Sequence, residues 1–400
     1  MAESEKSVEV IKPGVLYFAP CGLREGVGGG ARLGNMIDTL GHLETNVQLI
    51  SYLPGEKFEV KHKQINNRLN TTTVSVKRSS PKIIKLFALR LIFIYGLKYI
   101  GKSNIIFAHA PTIVSGFPAF ILSKIFNKPF VIDHMDIKDP DTPGFIYSRV
   151  LKSANTVFTI SRYLEEEVKE IGGRNAVYLP IFLDTNVFRM DVPARAEIRE
   201  KLGIDDKEIV IGYAGSFSRI EGLPFLLRAF KNLSGKYESV KLLAVGGRNV
   251  PDSDDVEKLI DKLNLKERVI VIPPQPHELM PKYLSAFDIA CSPKIDCEEN
   301  RAANPIKIYE YMSVGLPMVV SAVGEPSEII ENGHDGFLVK PEDEDDLERT
   351  LGYVIQNLDS AEAVGKRARE KIIKNYTQRV MQKRIGETLK QLTFGGRDNA

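Results

Sequence analysis

The amino-acid sequence predicts an α/β protein with two doubly wound domains. Short apolar runs typical of buried strands alternate with amphipathic helical stretches, and this alternation implies βαβ units with parallel sheets. The alternation occurs in two rounds, and residues 184–208 between them show no strand pattern. The length agrees, because 400 residues correspond to two or three domains at about 150 residues each.

The first round fills the predicted first domain, residues 1–183. It opens with a strand at 15–20, a glycine-rich turn and a helix at 31–43. A second helix is predicted at 116–126. The other segments have the composition of strands: 47–51, 105–110, 129–134, 156–161 and 176–181.

The second round fills the predicted second domain, residues 209–365, after an interdomain connection at 184–208. Helices and strands alternate here with short turns between them. The strands are predicted at 209–215, 241–247, 269–274, 288–293, 317–323 and 336–341, and the helices at 222–233, 254–263, 278–286 and 306–314. We expect residues 366–400 to form a helix that returns to the first domain, followed by a tail.

The composition is that of an ordinary globular protein, with 43% hydrophobic and 26% charged residues, which excludes global disorder, collagen and coiled coil. A net charge of +2 gives no reason to expect nucleic acid as a partner. Three cysteines are too few for a disulfide framework and favour a reducing compartment. The polar N-terminus lacks the regions of a signal peptide, so we expect a cytoplasmic protein.

The small net charge hides an uneven distribution along the chain. Residues 1–190 carry a net charge of +7 and residues 191–400 a net charge of −5. Between positions 57 and 102 there are 11 basic residues and one acid, Glu59. The second half of this stretch, 81–102, is also strongly apolar. It predicts either a core helix with solvated lysines or a helix that meets a membrane surface or lipid substrate.

A glycine loop lies between the first strand and the first helix, at Gly26, Gly28, Gly29 and Gly30. Glycine allows positive φ and close backbone approach, and helix-start amides can meet an anion. We interpret it as a loop that contacts substrate or nucleotide. A dinucleotide loop and a plain turn stay open, although no acid follows the second strand to bind a ribose.

The strongest local pattern lies between Asn304 and Val320. Pro305 is well placed to begin a helix and Gly315 to end it. Glu310 lies mid-helix among apolar residues, where a carboxylate is costly unless it meets partners. A ribose diol would offer it two hydroxyl donors, and the alternative is a glutamate on a solvent face.

Five blocks of the chain, in order and spacing, resemble the family 4 glycosyltransferases, which have the GT-B fold. The run 305–320 resembles the donor-site helix of that family, with Glu310 as the second glutamate of its E-x7-E motif. The other blocks resemble its glycine loop, interdomain segment, first turn of the second domain and last shared block: 28–32, 179–188, 212–223 and 324–339.

The resemblance implies two Rossmann-like domains facing a central cleft and a retaining transfer of a sugar from a nucleotide sugar. A UDP- or GDP-sugar is the expected donor, on the second domain, with Glu310 binding its ribose hydroxyls. A glycan or lipid-linked acceptor is expected on the first domain, and no metal or further cofactor is implied. Because a leaving diphosphate gains negative charge, amides and cations that meet it lower the barrier. The candidate amides lie at Gly29, Gly30, Gly324 and Glu325.

Several positions depart from the pattern of the family. Ala302 stands where the first motif glutamate should be, and Glu298, Glu299 or Asn304 could take its role. The next departure concerns the cations for the diphosphate. Ser216 and Glu221 stand where the family has an arginine and a lysine, and Arg219, Lys307 and Arg301 are the candidate replacements, with the first two favoured.

The catalytic candidates follow the strand at 129–134. Asp136 falls on the aspartate of the family, whereas His134 comes one residue early, and such an offset turns a side chain to the other face of a strand. Asp136 could orient the acceptor or accept its proton, and a structural capping pair is the alternative. His109 is a lesser candidate. The sequence Asp139-Pro140-Asp141 matches the metal motif D-x-D, which is frequent by chance, and we expect no metal there.

The sequence thus predicts a retaining glycosyltransferase that acts in the synthesis of a cell-surface polysaccharide or glycoconjugate. The stretch at 57–102 would place it peripherally on the inner face of the cell membrane. Two rivals remain at this point. One is a nucleotide-sugar epimerase or hydrolase of the same fold, and the other is a binding protein that has lost catalysis.

Overall fold

The computed structural model describes residues 14–23, 29–77, 79–247 and 253–394. Its chain divides into two compact units. The first comprises Met1–Ile160, Leu164–Leu179 and Met381–Ala400, and the second comprises Ser161–Tyr163 and Pro180–Val380. Each unit has a sheet of its own.

The first unit is built on an eight-stranded sheet within the described residues. Its strands are β1 (Gly14–Ala19), β2 (Asn46–Gly55), β3 (Glu59–Gln64), β4 (Leu69–Lys77), β5 (Ile105–His109), β6 (Phe130–His134), β7 (Thr156–Thr159) and β8 (Ala176–Tyr178). The spatial order is β3-β4-β2-β1-β5-β6-β7-β8. β3 pairs antiparallel with β4, and the other described pairs are parallel. β5, β6 and β7 are buried throughout, as expected of parallel strands covered on both faces.

The helices of the first unit connect these strands. They are α1 (Gly29–His42), α2 (Lys82–Ile100), α3 (Gly116–Phe126), α4 (Gly144–Ser153) and α5 (Arg162–Ile171), whose first two residues belong to the second unit. Ala88, Ile92 and Ile100 of α2 pack into the apolar core with Phe18 and Leu122.

The second unit is built on a smaller parallel sheet. Its strands are β9 (Ile209–Gly215), β10 (Val240–Gly246), β11 (Val269–Ile272), β12 (Ile289–Ser292), β13 (Met318–Ser321) and β14 (Phe337–Val339). Their order is β11-β10-β9-β12-β13-β14. The order reverses between β9 and β12, which is where ligands bind at the carboxyl ends of such sheets.

Helices α6 to α14 accompany this sheet along the chain, and α15 follows them and lies in the first unit from Met381 onward. They are α6 (Val192–Lys201), α7 (Leu223–Lys236), α8 (Ser253–Lys262), α9 (Met280–Ser285), α10 (Glu298–Ala302), α11 (Ile306–Val314), α12 (Glu325–Ile329), α13 (Glu344–Gln356), α14 (Leu358–Asn375) and α15 (Gln378–Phe394). Pro305 precedes α11 as its N-cap and Gly315 ends it with a φ of 84°, so the predicted helix at 306–314 is confirmed.

The predicted fold class is confirmed, because both units are Rossmann-like α/β arrangements of parallel strands and helices. The apolar pattern did not predict β3 and β4. β3 is polar and forms an exposed edge strand, and β4 has a run of three threonines in place of a continuous apolar run.

The structure divides the chain differently from the predicted connection at 184–208. These residues belong to the second unit, because Arg195 of α6 donates to the carbonyls of Ser285 and Phe287 at 3.0 and 2.9 Å. Residues 366–380 also belong to the second unit, and the chain enters the first unit at Met381. In the described ranges, no helix has both the length and the apolar character needed to cross a bilayer.

Candidate functional site

A pocket of about 370 Å³ opens at the carboxyl edge of the first sheet. It is lined by residues that follow β1, β5 and β6, and by Gly29 at the start of α1. The polar side chains in its wall include His109, Asp136, Lys138 and Asp139. Turns after parallel strands place these groups together, as expected for a site in an open α/β sheet.

A buried charged group, which we call the Asp133 group, lies beneath this pocket. Asp133 on β6 accepts from the Arg32 guanidinium, with Nε at 2.9 and 3.0 Å from its two oxygens. A second arginine nitrogen lies 2.5 Å from Oδ1 of Asp133 and donates to the Leu179 carbonyl at 3.0 Å. His109 completes the group, with Nδ1 at 3.1 Å from Oδ2 of Asp133. The guanidinium is thus held by a carboxylate and a carbonyl, as a planar donor fork allows.

Both ring nitrogens of His109 face oxygen acceptors, because Nε2 lies 3.2 Å from the Gly29 carbonyl. This arrangement fits a doubly protonated imidazolium. Burial lowers the pKa of His109, but the hydrogen bonds to Asp133 and Cys21 and the charge of Asp133 outweigh it and raise this pKa to about 9. Burial likewise raises the pKa of Asp133, but the Arg32 charge and His109 hold it at about 2. The group therefore carries one anion and two cations.

His134 does not line this pocket, and the structure corrects its predicted position. Its side chain is fully buried, with Nε2 at 3.0 Å from the Tyr147 hydroxyl and 3.2 Å from Oε2 of Glu167. Successive residues of a strand point to opposite faces. Asp133 therefore meets Arg32 and His109 on one face of β6, and His134 meets Tyr147 on the other. His109, the lesser candidate, is the histidine of the pocket.

Asp136 lies where the sequence places it, in the wall of the pocket and exposed. Its Oδ1 accepts from the Ile137 amide at 3.0 Å. The D-x-D match is a turn, because Asp139 accepts from the Asp141 amide and the Thr142 hydroxyl at 3.1 Å each. Over the part of the chain that is described, no cluster of three His, Cys, Asp or Glu side chains is placed to hold a metal ion.

The glycine loop is described only in part. Gly29 begins α1 and lines the pocket, and Gly30 is buried. Gly26 and Gly28 fall outside the described residues. Of the two predicted amide positions, Gly29 thus lines the pocket, and Gly30 is buried in the first turn of α1.

A second buried charged group, which we call the Glu221 group, lies at the carboxyl edge of the second sheet. Glu221 follows β9 in a short turn of 3-10 helix. Its two oxygens lie 2.9 Å from Nζ of Lys294 and 2.5 Å from Nζ of Lys307. Lys294 follows β12 and also donates to the Asn300 side chain at 2.7 Å. Lys307 lies in the first turn of α11, with Nζ 4.8 Å from the centre of the Tyr213 ring.

Charge and burial oppose each other in the Glu221 group. Burial raises the pKa of Glu221, but the two lysine charges outweigh it and hold this pKa at about 2. Burial lowers the pKa of Lys307 in spite of Glu221. The side chains of Lys294 and Lys307 are 8% and 10% exposed. One anion between two such cations leaves a net positive, partly accessible group.

Of the three predicted replacement cations, the structure brings Lys307 to the carboxyl edge beside Glu221. Arg219 is exposed on the same turn as Glu221. Arg301 forms a two-pronged ion pair with Asp296 at 2.6 and 2.9 Å. No sequence motif indicated Lys294. The available signal was its position two residues after β12, because β9 and β12 are neighbours in the sheet.

Glu310 is buried on α11, and a histidine side chain is its polar partner. Its Oε1 lies 2.7 Å from Nε2 of His277, and this hydrogen bond raises the pKa of His277. His277 is half exposed and its ring lies 5.1 Å from that of Phe188. His277 is thus the partner of Glu310 from the turn before α9.

The loop around the missing glutamate is organised by the backbone and by amide side chains. Ala302 is buried, and its carbonyl accepts from the Ser161 hydroxyl at 2.7 Å. Asn304 is buried and donates to the Tyr309 hydroxyl at 2.9 Å. Glu298 and Glu299 lie exposed in the first turn of α10. Asn304 is thus the buried one of the three candidate replacements.

The last predicted donor residues are Ser216, Gly324 and Glu325. The Ser216 hydroxyl donates to that of Ser218 at 3.1 Å. Gly324 has a φ of 63°, and an added Cβ would lie 2.3 Å from the Asn300 carbonyl oxygen, so only glycine fits. Glu325 begins α12, where its buried carboxylate accepts from the Arg162 amide at 2.9 Å. The backbone at Gly324 is therefore tied closely to the loop before α11.

Comparison with known proteins agrees with this geometry. Residues 194–371, somewhat under half of the chain, match the family model described as "Glycosyl transferases group 1". A relative from Mycolicibacterium smegmatis, named GDP-mannose-dependent alpha-(1-6)-phosphatidylinositol monomannoside mannosyltransferase, is 26% identical over 60% of this chain. The match covers 63% of that relative, so the chain spans less than two thirds of its length.

Two solved structures are similar in fold. Sucrose-phosphate synthase from Thermosynechococcus elongatus has a TM-score of 0.78 and 17% identity, covering 95% of this chain and 99% of that chain. Anabaena HepE in complex with UDP-glucose has a TM-score of 0.74 and 18% identity, covering 95% and 100%. The chain therefore has the GT-B fold of glycosyltransferases, and its residues 194–371 match the family of glycosyl transferases group 1.

Proposed function

We propose that the protein is a retaining family 4 glycosyltransferase. It moves a sugar from a nucleotide-sugar donor to a glycan or lipid-linked acceptor in the synthesis of a cell-surface polysaccharide or glycoconjugate. The match to glycosyl transferases group 1 covers both Glu221 and Glu310 with their partners. The named activity of the mycobacterial relative supports the reaction class.

The observation that carries the proposal is the Glu221 group. Two lysines converge at the carboxyl edge of the second sheet, at the reversal of strand order. The cations that the resemblance expects at 216 and 221 are absent from the sequence, but Lys294 and Lys307 bring two positive charges to this edge, which Glu221 offsets in part. A lysine binds a phosphate oxygen as a point charge. Such cations stabilise a leaving diphosphate as its charge grows.

The remaining donor contacts follow from α11 and α12. We assign the ribose hydroxyls to Glu310, with His277 holding its carboxylate in place. Asn304, Ser216 and the amides at Gly324 and Glu325 are assigned to the sugar and the diphosphate. Uridine and guanosine are the proposed bases, because HepE was solved with UDP-glucose and the mycobacterial relative is named GDP-mannose-dependent.

The acceptor is assigned to the pocket of the first unit. Asp136 is exposed in its wall and accepts the acceptor proton or orients the acceptor hydroxyl. His109, fixed by Asp133 and the Gly29 carbonyl, presents a positive charge to the pocket. Gly29 brings the first residue of α1 to the same pocket, and Gly30 follows it in that turn.

The test is a panel of UDP-, GDP- and ADP-sugars, scored by thermal shift and by release of nucleotide. We expect one uridine or guanosine donor to raise the melting temperature and to be turned over slowly. Glu310→Ala and Lys307→Met should each weaken donor binding by about tenfold to a hundredfold, since a hydrogen bond to a charged group contributes roughly 1.5–3 kcal/mol. Glu328→Ala, an exposed glutamate on α12, is the matched control.

Each rival has its own outcome in this experiment. Stabilisation without any product would support a binding protein, and an altered free sugar nucleotide would support an epimerase. Hydrolysis that no acceptor diverts would support a hydrolase. If no nucleotide sugar stabilises the protein, the proposed function is wrong.

A further inference from the structure

The outward face of α2 carries a row of exposed apolar side chains, which we call the outer stripe. The row follows the spacing of one helical face, while Ala88, Ile92 and Ile100 on the opposite face are buried in the core. The exposed fractions are 71% for Ile83, 47% for Leu86, 51% for Phe87, 55% for Ile94 and 41% for Leu97. A contiguous apolar row of this kind on a soluble unit marks an interaction surface.

Aromatic and apolar residues around β3 extend the outer stripe to one side. The Phe58 ring lies 5.7 Å from that of Phe87, and the His62 ring lies 5.1 Å from that of Tyr95. Phe58 and Ile65, which flank β3 in the chain, are 41% and 43% exposed. The surface is therefore a ribbon beside a helix, wider than the helix alone.

The charge around the outer stripe is positive. Arg90 lies within the stripe, Lys98 lies beside Ile94 on the helix, and Lys61 and Lys63 are exposed on β3. The acid of this stretch, Glu59, is paired with Lys61 at 3.1 Å. Bases interleaved with exposed aliphatic and aromatic side chains are the composition of an interfacial helix.

We propose that the outer stripe docks on an anionic lipid bilayer. Its apolar side chains enter the boundary between headgroups and acyl chains, and its bases meet the lipid phosphates. A second copy of the same face is a poor partner, because it would bring like charges together. Charge complementarity thus selects a negatively charged membrane surface over self-association.

The direction of α2 adds a consequence for the acceptor, and this part rests on the proposed function. β4 and β5 are parallel to their neighbours, so α2 begins at the carboxyl edge of the sheet and ends at the amino edge. The pocket lies at that same carboxyl edge. Ile83 and Phe87 would therefore anchor the pocket's edge of the unit near the bilayer, where a lipid-linked acceptor is held.

The test is flotation of the whole protein with vesicles of phosphatidylcholine, with and without phosphatidylglycerol, at low and high salt. We expect binding to the anionic vesicles that falls as salt screens the charge. The double variant Ile94→Ser with Lys98→Glu should bind at least about tenfold more weakly. The matched control is Ile373→Ser with Lys366→Glu, which makes the same changes on the exposed face of α14 and should bind normally.

Three outcomes would overturn the proposal. These are wild-type protein that does not float at low salt, equal loss of binding in both double variants, and equal binding to neutral vesicles. A concentration-dependent dimer that Ile94→Ser and Lys98→Glu abolish would instead assign the face to self-association. Thermal shift with nucleotide sugars is run on the same variants. Because it reports the donor site, failure of docking and failure of the proposed function are distinguishable.

Discussion

The Asp133 group and the Glu221 group each neutralise a buried carboxylate, but they do so with different cations. In each, a buried carboxylate at the carboxyl edge of a sheet lies between two positive side chains. Asp133 is held by a guanidinium and an imidazole, and these side chains are at most 1% exposed. Glu221 is held by two lysines whose side chains remain 8% and 10% exposed.

The kind of cation and its exposure indicate a structural role for the Asp133 group and a ligand-binding role for the Glu221 group. The Arg32 guanidinium donates hydrogen bonds to both oxygens of Asp133 and to the Leu179 carbonyl, so most of its planar set of donors is already used within the protein. An ammonium has three donors around a point charge, and Lys307 spends one of them on Glu221. The Asp133 group therefore fixes β5, β6 and α1 in place, whereas we expect the Glu221 group to meet a further anion, as the proposed function requires.

The largest expected effect is a loss in the free energy of unfolding when Asp133 is replaced. A larger loss for Glu221 than for Asp133 would reverse the roles assigned to the two groups. Asp133→Asn leaves Arg32 buried without its counter-ion, which should cost about 3–5 kcal/mol in the free energy of unfolding. Glu221→Gln should cost about 1–3 kcal/mol, since its lysines retain some solvent. Chemical denaturation of both variants measures this, with the exposed Asp136→Asn as control. Equal costs for Asp133→Asn and Asp136→Asn would remove the structural role of the first group.

A smaller effect, of opposite sign for the two groups, is expected on the pH dependence of stability. The pKa of His109 is raised from 6.5 to about 9, so its stabilisation is complete below pH 6.5 and is lost as pH rises through 9. The pKa of Glu221 is lowered from 4.5 to about 2, so its stabilisation is complete above pH 4.5 and is lost as pH falls towards 2. Each pKa unit corresponds to about 1.4 kcal/mol.

Melting temperatures between pH 3 and pH 10 measure both effects, with His109→Gln and Glu221→Gln as the paired variants. The first substitution should flatten the alkaline limb of the profile and the second the acid limb. Asp133 adds to the acid limb, because its pKa is also lowered. An alkaline limb that His109→Gln leaves unchanged would contradict the imidazolium assigned to this residue.

The smallest expected effect is on donor binding when Arg219, and not Lys294, is replaced in the second unit. Arg219 is exposed, so Arg219→Ala should weaken donor binding by at most about fivefold, in line with the 0.2–1 kcal/mol of exposed pairs. Lys294→Ala should weaken it by about tenfold to a hundredfold. Calorimetric titration of the donor into both variants measures the two affinities. A larger loss for Arg219→Ala than for Lys294→Ala would assign the phosphate role to Arg219, one of the two replacements that the sequence favoured.

The strand pattern predicted the two parallel sheets because their apolar runs are continuous, as in β5, β6 and β9. It missed β3, which is a polar edge strand, and β4, in which a run of threonines precedes the buried core residues Val74 and Val76. The motif run around Glu310 predicted α11 and its ends, because Pro305 and Gly315 fix both.

Contacts through space were the part that sequence could not supply. Lys294 and Glu221 are 73 positions apart, and only the neighbouring of β9 and β12 brings them together. Contacts between strands also explain why His109, and not His134, lines the pocket of the first unit. The alternation of faces along β6 turns His134 inward, and the pairing of β5 with β6 brings His109 to Asp133.

The first unit is divided along the chain, since it resumes at Met381 after the whole of the second unit. Met381, Ile385 and Leu389 of α15 are buried, and Gly386 of this helix lies against Leu43. A ribosome adds about 5–20 residues per second, so the roughly 200 residues from Leu179 to Met381 occupy about 10–40 s. Through that interval α15 has not yet been made, so Leu43 lacks the helix that packs against it. The nascent chain therefore completes its second unit before its first, and chaperones have tens of seconds in which to hold the open side.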